Sequence, residues 1–399
     1  MTPQPPRYAR LADLCTLICD GTHLSPKLTD TGRPYVTSRN VRRGVLDTRD
    51  VWTISEIDHR TIYTRCPTRK GDIWLTKDGA NCGNAAINTF PCEVSLLSSV
   101  AVIRPDPDKL DTRYLLEWIL SDAGQTAIAG KARGLAITRV TLAMIRDLKV
   151  PLPSLPIQQM IGAIGTNTLD VDAKFDALIA AKREQKRGLM QQLLTGKVRF
   201  PGFTEPWKTV RLGEIANLRG SKGTSSHLPH LRCIELEHIE SGTGEIIGEA
   251  SVGSTVSLKT EFAPGDVLFG KLRPYLRKFA LVEFAGLCST EIWALIPDQT
   301  VITSGYLRLL VEAPAVQRAA NATSGTKMPR ADWDVVSTTP VHLPPKSEQD
   351  RITLLASAID SEIRLLSAQR QVLATQRRGL MERLLSGEID IPSSDTSAA

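Results

Sequence analysis

"GLMQQLLTG" (residues 188–196) returns almost unchanged as "GLMERLLSG" (residues 379–387), 191 positions later. Each copy opens on Gly-Leu-Met, carries apolar residues at helical spacing and closes on glycine, an apt helix stop. A period near 190 residues is far too long for a solenoid, so the simplest cause is a duplicated domain with its linker. The register extends outward. Leu152-Pro153 matches Leu343-Pro344, Gln158 matches Gln349, Ile161 matches Ile352, and Gly134 and Arg139 match Gly325 and Arg330, all 191 apart. Farther back the offset drifts, as "GDIWL" (71–75) answers "GDVLF" (265–269) and Tyr114-Leu115 answers Tyr306-Leu307. Loops of two copies diverge in length while frameworks do not. The chain is written domain, helix, domain, helix.

Ahead of each quoted stretch, apolar residues recur at alternating three- and four-residue steps. They are Ile161, Ile164, Val171, Phe175, Leu178, Leu189 and Leu193 in the first copy, and Ile352, Leu355, Ile359, Leu366, Leu373 and Leu380 in the second. That spacing predicts two helices of about 35–40 residues, each roughly 55 Å long, with a coiled-coil seam. Ser347 is placed to cap the second helix with Asp350 as its first-turn acid, and Gly162 and Gly165 weaken the first by about 1 kcal/mol each relative to Ala. A lone amphipathic helix of this length needs a partner for its stripe, and its own duplicate is the nearest candidate, antiparallel.

The globular segments, 1–153 and 201–345, hold short β-branched and aromatic runs: "PYVTSRNV" (34–41), "GDIWLT" (71–76), "SSVAVI" (98–103), "LRCIEL" (231–236), "GDVLFG" (265–270) and "EIWALI" (291–296). They predict strands. Helical stretches, "TRYLLEWILSDAGQ" and "GYLRLLVEAPAVQ", follow later in each copy. The expected fold is therefore α+β: two similar domains in pseudo-symmetric arrangement, separated by a long antiparallel two-helix coiled coil. The segments are 1–153, helix 154–200, 201–345, helix 346–392, and a disordered tail at 393–399.

The chain has 399 residues, 42% of them hydrophobic and 23% charged, with a net charge of +6. No apolar run spans a membrane, the polar, proline-rich start is no signal peptide, and seven cysteines without a CxxC pair build no disulfide framework. A cytoplasmic protein is expected. Residues 1–153 carry 21 Lys and Arg against 16 Asp and Glu, whereas residues 201–345 carry 14 against 15. A polyanion would therefore be met by the first domain more generally and by the second through local patches.

Such patches exist in glycine-containing loops. "SRNVRRG" (38–44) offers Arg39, Asn40, Arg42 and Arg43, and "TKDGANCGN" (76–84) offers Lys77 and Asn84. "GKARGLAITR" (130–139) offers Lys131, Arg133 and Arg139. In the second copy "GKLRPYLRKF" (270–279) offers Lys271, Arg273, Tyr275, Arg277 and Lys278 with no acid among them, and "SGTKMPR" (324–330) offers Lys327 and Arg330. Basic groups with glycines for close backbone approach are what a DNA-facing loop needs. The aligned Arg139 and Arg330 equally suit a structural ion pair. No phosphate loop, dinucleotide fingerprint, methyltransferase tetrapeptide, zinc spacing or repeated catalytic set is present, so a non-catalytic chain is expected.

With the halves aligned, the chain resembles the specificity subunit of type I restriction–modification systems over about residues 7–392. "GDIWLTKDGANCGNAAI", "LPPKSEQDRI", "KRGLMQQLLTGKVRFPGF" with "RRGLMERLLSGEIDIP", and the domain–helix order carry the resemblance. It implies two target-recognition domains, each reading half of a gapped double-stranded DNA target. It also implies that the helices dock two methyltransferase subunits, and the duplicated ends mark Leu189, Met190, Leu193, Leu194, Leu380, Met381, Leu384 and Leu385 for that contact. No cofactor belongs to this chain; the methyltransferases would bind S-adenosylmethionine, and separate motor-nuclease subunits would use ATP and Mg²⁺. The first copy departs from the pattern, with Ile157 where the second has Glu348. Two alternatives are a DNA-reading subunit whose partner fuses methylation and cleavage, and a coiled-coil scaffold with no DNA role.

Overall fold

The structure, a computed structural model, describes residues 7–131, 139–224, 232–250, 258–322 and 328–389. It divides into two compact units: residues 1–176 with 368–399, and residues 177–367. Each unit thus takes one globular segment, the first part of one long helix and the last part of the other. The expected tail at 393–399 lies outside the described residues.

The first globular segment runs β1 (Tyr8–Arg10), β2 (Cys15–Asp20), β3 (Leu28–Thr29), β4 (Arg33–Val36), β5 (Trp52–Ile54), α1 (Glu56–Arg65), β6 (Ile73–Thr76), β7 (Ala85–Ile87), β8 (Ser95–Leu96), β9 (Val100–Pro105), α2 (Thr112–Leu120), α3 (Asp122–Lys131), α4 (Leu142–Arg146) and β10 (Lys149–Pro151), and leads into α5 (Leu155–Leu193). Its main sheet is antiparallel, in the order β2-β9-β6-β7; a second sheet has the order β3-β5-β4-β8, with β4 and β8 parallel. Side chains alternate across the main sheet. Ile73, Leu75, Ala101 and Ile103 face the core beneath α2, whereas Trp74, Val100 and Val102 face a core shared with Val36 and Leu96 of the second sheet. Burial on both faces is why "GDIWLT" is a continuous apolar run rather than an alternating one.

The second segment runs β11 (Lys208–Arg211), α6 (Leu212–Ile215), β12 (Ala216–Leu218), β13 (Lys222–Thr224), β14 (Arg232–Ile234), β15 (Leu258–Phe262), β16 (Val267–Gly270), β17 (Phe279–Leu281), β18 (Gly286–Cys288), β19 (Ile292–Pro297), α7 (Ser304–Glu312), α8 (Pro314–Ala320), α9 (Trp333–Val336) and β20 (Pro340–Leu343), and leads into α10 (Lys346–Leu385). Its main sheet, β12-β19-β16-β17, repeats the first unit's order, and Val267 and Phe269 face one core while Leu268 faces the other. The second sheet is wired differently. In the first unit the middle strand β5 pairs with β4, whereas in the second β15 pairs with β18, the partner of β14. The frame is duplicated; the sheet laid over it is not.

Helix entry is repeated atom for atom. Gln158 accepts from the backbone N–H of Asp111, the cap of α2, and donates to the carbonyls of Lys109 and Pro153. Gln349 accepts from Thr303, the cap of α7, and donates to Val301 and Pro344. Buried Glu348 receives both arms of Arg199, at 3.0 and 2.8 Å, and the indole N–H of Trp207 at 2.8 Å. It is an internal tie, and Ile157 replaces it in the first unit by packing on the apolar core. Because α10 begins at Lys346, Ser347 lies inside its first turn and not at the N-cap position.

Within each unit the two helix parts are antiparallel neighbours. In the first, Asp176 pairs with Arg370 and Thr168 accepts from Arg377; in the second, Lys182 pairs with Glu362 and Lys186 with Asp360. The buried stripe differs from the expected seam. Val171, Leu178, Leu373 and Leu380 are exposed, while Ile179, Ala356, Ile363, Met381 and Leu384 are buried. The face a helix buries here is set by the globular core under it as well as by the facing helix.

Gly162 and Gly165 are close-approach positions. A Cβ at Gly162 would lie 2.7–2.8 Å from Asp111, Arg113 and Tyr114 at the start of α2, and one at Gly165 would lie 2.3 Å from Glu117. In the second unit the glycine has changed sides: Gly305 of α7 would meet Thr353 of α10 at 2.4 Å. Thr353 answers Gly162 and Gly305 answers Arg113, so the crossing keeps one small residue whichever helix supplies it.

Candidate nucleic-acid interface

The duplicated helix ends fold inward. Met190, Leu193 and Leu194 are buried in the main core of the second unit, with Leu189 packed against it. Met381 and Leu384 are buried in that of the first, with Leu385 packed against it. Five of these side chains are buried core residues and Leu189 and Leu385 are half-buried against them, a correction to the expectation that the ends form a docking surface; Leu380 alone of the eight is exposed. Fully burying a Met or Leu contributes about 1.5–3 kcal/mol, which explains why the motif is kept twice. The basic residue two positions before each Gly-Leu-Met turns inward as well, Lys186 buried and Arg377 half-buried. Lys186 meets Asp360 at 2.8 Å and Glu312 at 3.3 Å, and Arg377 meets Glu117 at 2.6 Å. Burial raises the pKa of Glu117 above its ordinary value, with the charge and hydrogen bond of Arg377 opposing. Sequence inspection missed these clasps because their partners lie 126 and 260 residues away.

Several expected DNA contacts are engaged within the fold, Lys77 and Asn40 buried and Lys278 half-buried. Lys77 is 2% exposed and paired with Asp20, so its charge is neutralised within the fold. Asn40 is buried; it accepts from the Thr37 N–H and donates to the carbonyls of Asp47 and Asp50, organising its loop. The Lys278 ammonium donates to the Leu236 and Ile239 carbonyls at 2.8 Å each. For the two lysines the acceptor lies nearby in space but 39–57 residues away in sequence, whereas Asn40 is held by its own loop. Arg139 pairs with Asp78 at 3.3 Å and Arg330 pairs with Glu291 through both nitrogens, at 2.9 and 3.0 Å. The Arg330 hydrogen bonds hold the Glu291 carboxyl below its ordinary pKa. The aligned arginines are thus structural pairs, each on a backbone bridge, Asp78 to Arg139 and Leu272 to Arg330. Arg133, Lys327 and the Lys131 side chain lie outside the described residues.

What stays on the surface forms two loops. In the first unit Arg39 lies over the exposed Trp52 ring, 3.9 Å from its centroid, with Arg42 and Arg43 exposed beside it. The Arg43 guanidinium donates to the Leu120 carbonyl. Among the described residues neither Arg39 nor Arg42 has a carboxylate partner. Trp52 escaped the sequence inspection; an aromatic opening the strand after a basic loop was the available signal. Asn84, half-buried, hydrogen-bonds through its backbone to Thr76 and Asn81. In the second unit Lys271 is half-buried, and Arg273, Tyr275 and Arg277 are exposed. Lys271 matches Lys77, but by strand register Gly220 stands where the first unit has Asp20, and no acid pairs with Lys271 among the described residues. Among the described residues no three His, Cys, Asp or Glu converge as metal ligands.

Residues 7–174 match the type I restriction modification DNA specificity domain. The chain is similar to the specificity subunits of type I restriction–modification systems. That class of subunit is non-catalytic. The specificity subunit of the EcoDI type I restriction enzyme of Escherichia coli is 23% identical over 367 residues, covering 80% of this chain and 81% of its own. The MjaVIII specificity subunit of Methanocaldococcus jannaschii is 21% identical over 387 residues, covering 90% and 86%. In fold, the chain is similar to the type I system S subunit of M. genitalium, with a TM-score of 0.57, 16% identity, and coverage of 98% and 99%. A subunit from a study of type I assembly and conformational transition gives a TM-score of 0.56 at 18% identity, covering 97% and 99%.

Proposed function

We propose that this specificity subunit reads a gapped double-stranded DNA target, one half through each globular segment, and docks two methyltransferase subunits on its helices. The observation that carries the reading is the pair of sheets. A duplicated main sheet supports second sheets of different wiring, and one frame with two surfaces suits two different half-sites. The loops at Arg39, Arg42, Arg43 and Asn84 in the first unit, and at Lys271, Arg273, Tyr275 and Arg277 in the second, supply the contacts. Docking falls on the exposed side of the helices. Gly188 and Gly379 sit in helical backbone with nothing within 4 Å of a built Cβ, so no neighbour in this chain requires a glycine there. A partner backbone approaching closely does. Exposed Leu365 in the second unit, and Val372 and Leu380 in the first, offer it apolar surface. S-adenosylmethionine would belong to those partners, and ATP and Mg²⁺ to motor-nuclease subunits. Among the described residues no helix is long and apolar enough to cross a membrane, in keeping with a cytoplasmic assembly.

The test is to co-express the chain with its methyltransferase partner and map modified bases across the host genome. A single gapped motif with two short specified halves is expected, and exchanging residues 201–345 should change one half only. Methylation at an ungapped site, or methylation independent of this chain, would refute the proposal. Alanine at Lys271, Arg273 and Arg277 should weaken DNA retention and lower the salt slope by about one per lost phosphate contact.

A further inference from the structure

Two residues with side chains, Arg273 and Arg277, occupy the left-handed backbone region, at φ 51° and 52°; they are the only non-glycine residues with positive φ among those described. Both lie in the loop after β16, on either side of the short turn Pro274–Leu276. The first unit builds the same loop after β6, around the turn Gly79–Asn81. Lys77 and Lys271 each donate their N–H across to the neighbouring strand end, at Ser99 and Glu291, and each accept from the returning segment, at Val140 and Ala331. The turn is closed by Cys82 N–H to Gly79 in one and by Leu276 N–H to Arg273 in the other. On this match Arg273 stands where the first unit has Gly79, at φ 78°, and Arg277 where it has Gly83, at φ 90°.

The left-handed region is costly for any residue carrying a Cβ, and Arg273 also precedes a proline, which further restricts it. Glycine makes this turn without strain in the first unit, so the turn does not require arginine. Strain of this kind persists where the side chain has a task. The two guanidiniums differ. That of Arg277 donates to the Glu312 carbonyl at 3.4 Å and ties the loop to α7. That of Arg273 is exposed, with no carboxylate or hydrogen-bond partner among the described residues, beside Tyr275, which is 57% exposed. A phosphate contact needs only a nearby cation, which a flexible side chain on an unstrained backbone supplies. A base edge needs a guanidinium fork fixed in direction.

Resting on the DNA-reading function above, we infer that Arg273 is a specificity-determining residue that reads a guanine edge in the half-site of residues 201–345, and that Arg277 is a positioning residue holding its loop. The full chain carrying Arg273→Gly or Arg273→Lys, co-expressed with its methyltransferase partner, tests this by modified-base mapping and thermal melting. Both variants should lose discrimination at one guanine position of one half, by roughly 10- to 100-fold, with the other half unchanged. Arg273→Gly should melt no lower than the parent, because it removes the strain. An unchanged motif in both variants, or an even loss at all sites with only a flatter salt dependence, overturns the inference. So does a lower melting temperature for Arg273→Gly, which would make the arginine part of the turn. A parent chain that directs no gapped motif removes the DNA-reading function itself, and this inference with it.

Discussion

At the residue scale, single atoms decide which expected contacts are real. Gly162 and Gly188 lie in the same helix, and a helix propensity scale treats them alike. Gly162→Ala should cost about 1–3 kcal/mol, because the new methyl overlaps the start of α2. Gly188→Ala and Gly379→Ala meet nothing and should each raise stability by about 0.5–1 kcal/mol in the isolated chain, while weakening co-purification of the methyltransferase. Melting and pull-down measured together check this; unchanged partner binding in both would remove the docking role given to these glycines. Glu117 sets a pH dependence. Its folded pKa is raised, so the folded state holds the proton more tightly than the unfolded chain, and stability falls as pH climbs from the ordinary carboxylate range through the folded value. Relative to Glu117→Gln, the parent should therefore lose stability across that rise, and denaturant titrations at several pH values would show a flat difference if the carboxyl were unshifted. Of the site residues, Arg39 and Arg273 stay on the surface as basic loops should, whereas Lys77 and Lys278 do not, since Asp20 and two carbonyls reach them from distant positions.

At the element scale, the two strands after Gly-Asp and the two long helices follow from local pattern. "GDIWLT" and "GDVLFG" place β6 and β16, and the three-and-four spacing places α5 and α10 within a few residues. What pattern does not give is the face each helix buries. Met381 and Leu384 lie in the first unit's core because the end of α10 packs beside α2, a partner more than 250 residues away. Met381→Ala and Leu384→Ala should each cost about 2–5 kcal/mol, seen as a lower melting transition. Leu365→Ala, on an exposed face, should cost under about 0.5 kcal/mol. Equal effects at the buried and exposed sites would contradict the packing described. Glu348→Ala should cost about 2–3 kcal/mol through the lost hydrogen bonds from Arg199 and Trp207, measurable by the same melting.

At the scale of the whole chain, each compact unit draws on both halves of the sequence, so neither globular segment with its following helix makes a complete core. Removing residues 377–399 should lower the transition of the first unit, which loses Met381, Leu384 and the Arg377 clasp, while that of the second stays near its parent value. Calorimetry of the truncated chain would resolve the two; a single transition lost as a whole would mean the units do not melt separately. The charge balance belongs to this scale too. With its larger cationic excess, the first half-site should show the steeper salt dependence when each half is titrated with the other mutated.

By itself the sequence determined the duplication, the α+β class, the two long helices, the absence of a catalytic set and the basic loops, because each is written in spacing, composition or repeated residues. Tertiary structure alone decided where the Gly-Leu-Met ends go, which cations are neutralised, and that β5 and β15 join their sheets at different strands. Those depend on partners brought together from distant positions, which no local pattern records. The left-handed arginines sit between these limits. Their loop was legible as basic, but only alignment of the two folded loops shows that arginine stands where the same backbone takes glycine, and backbone strain has no signature in composition.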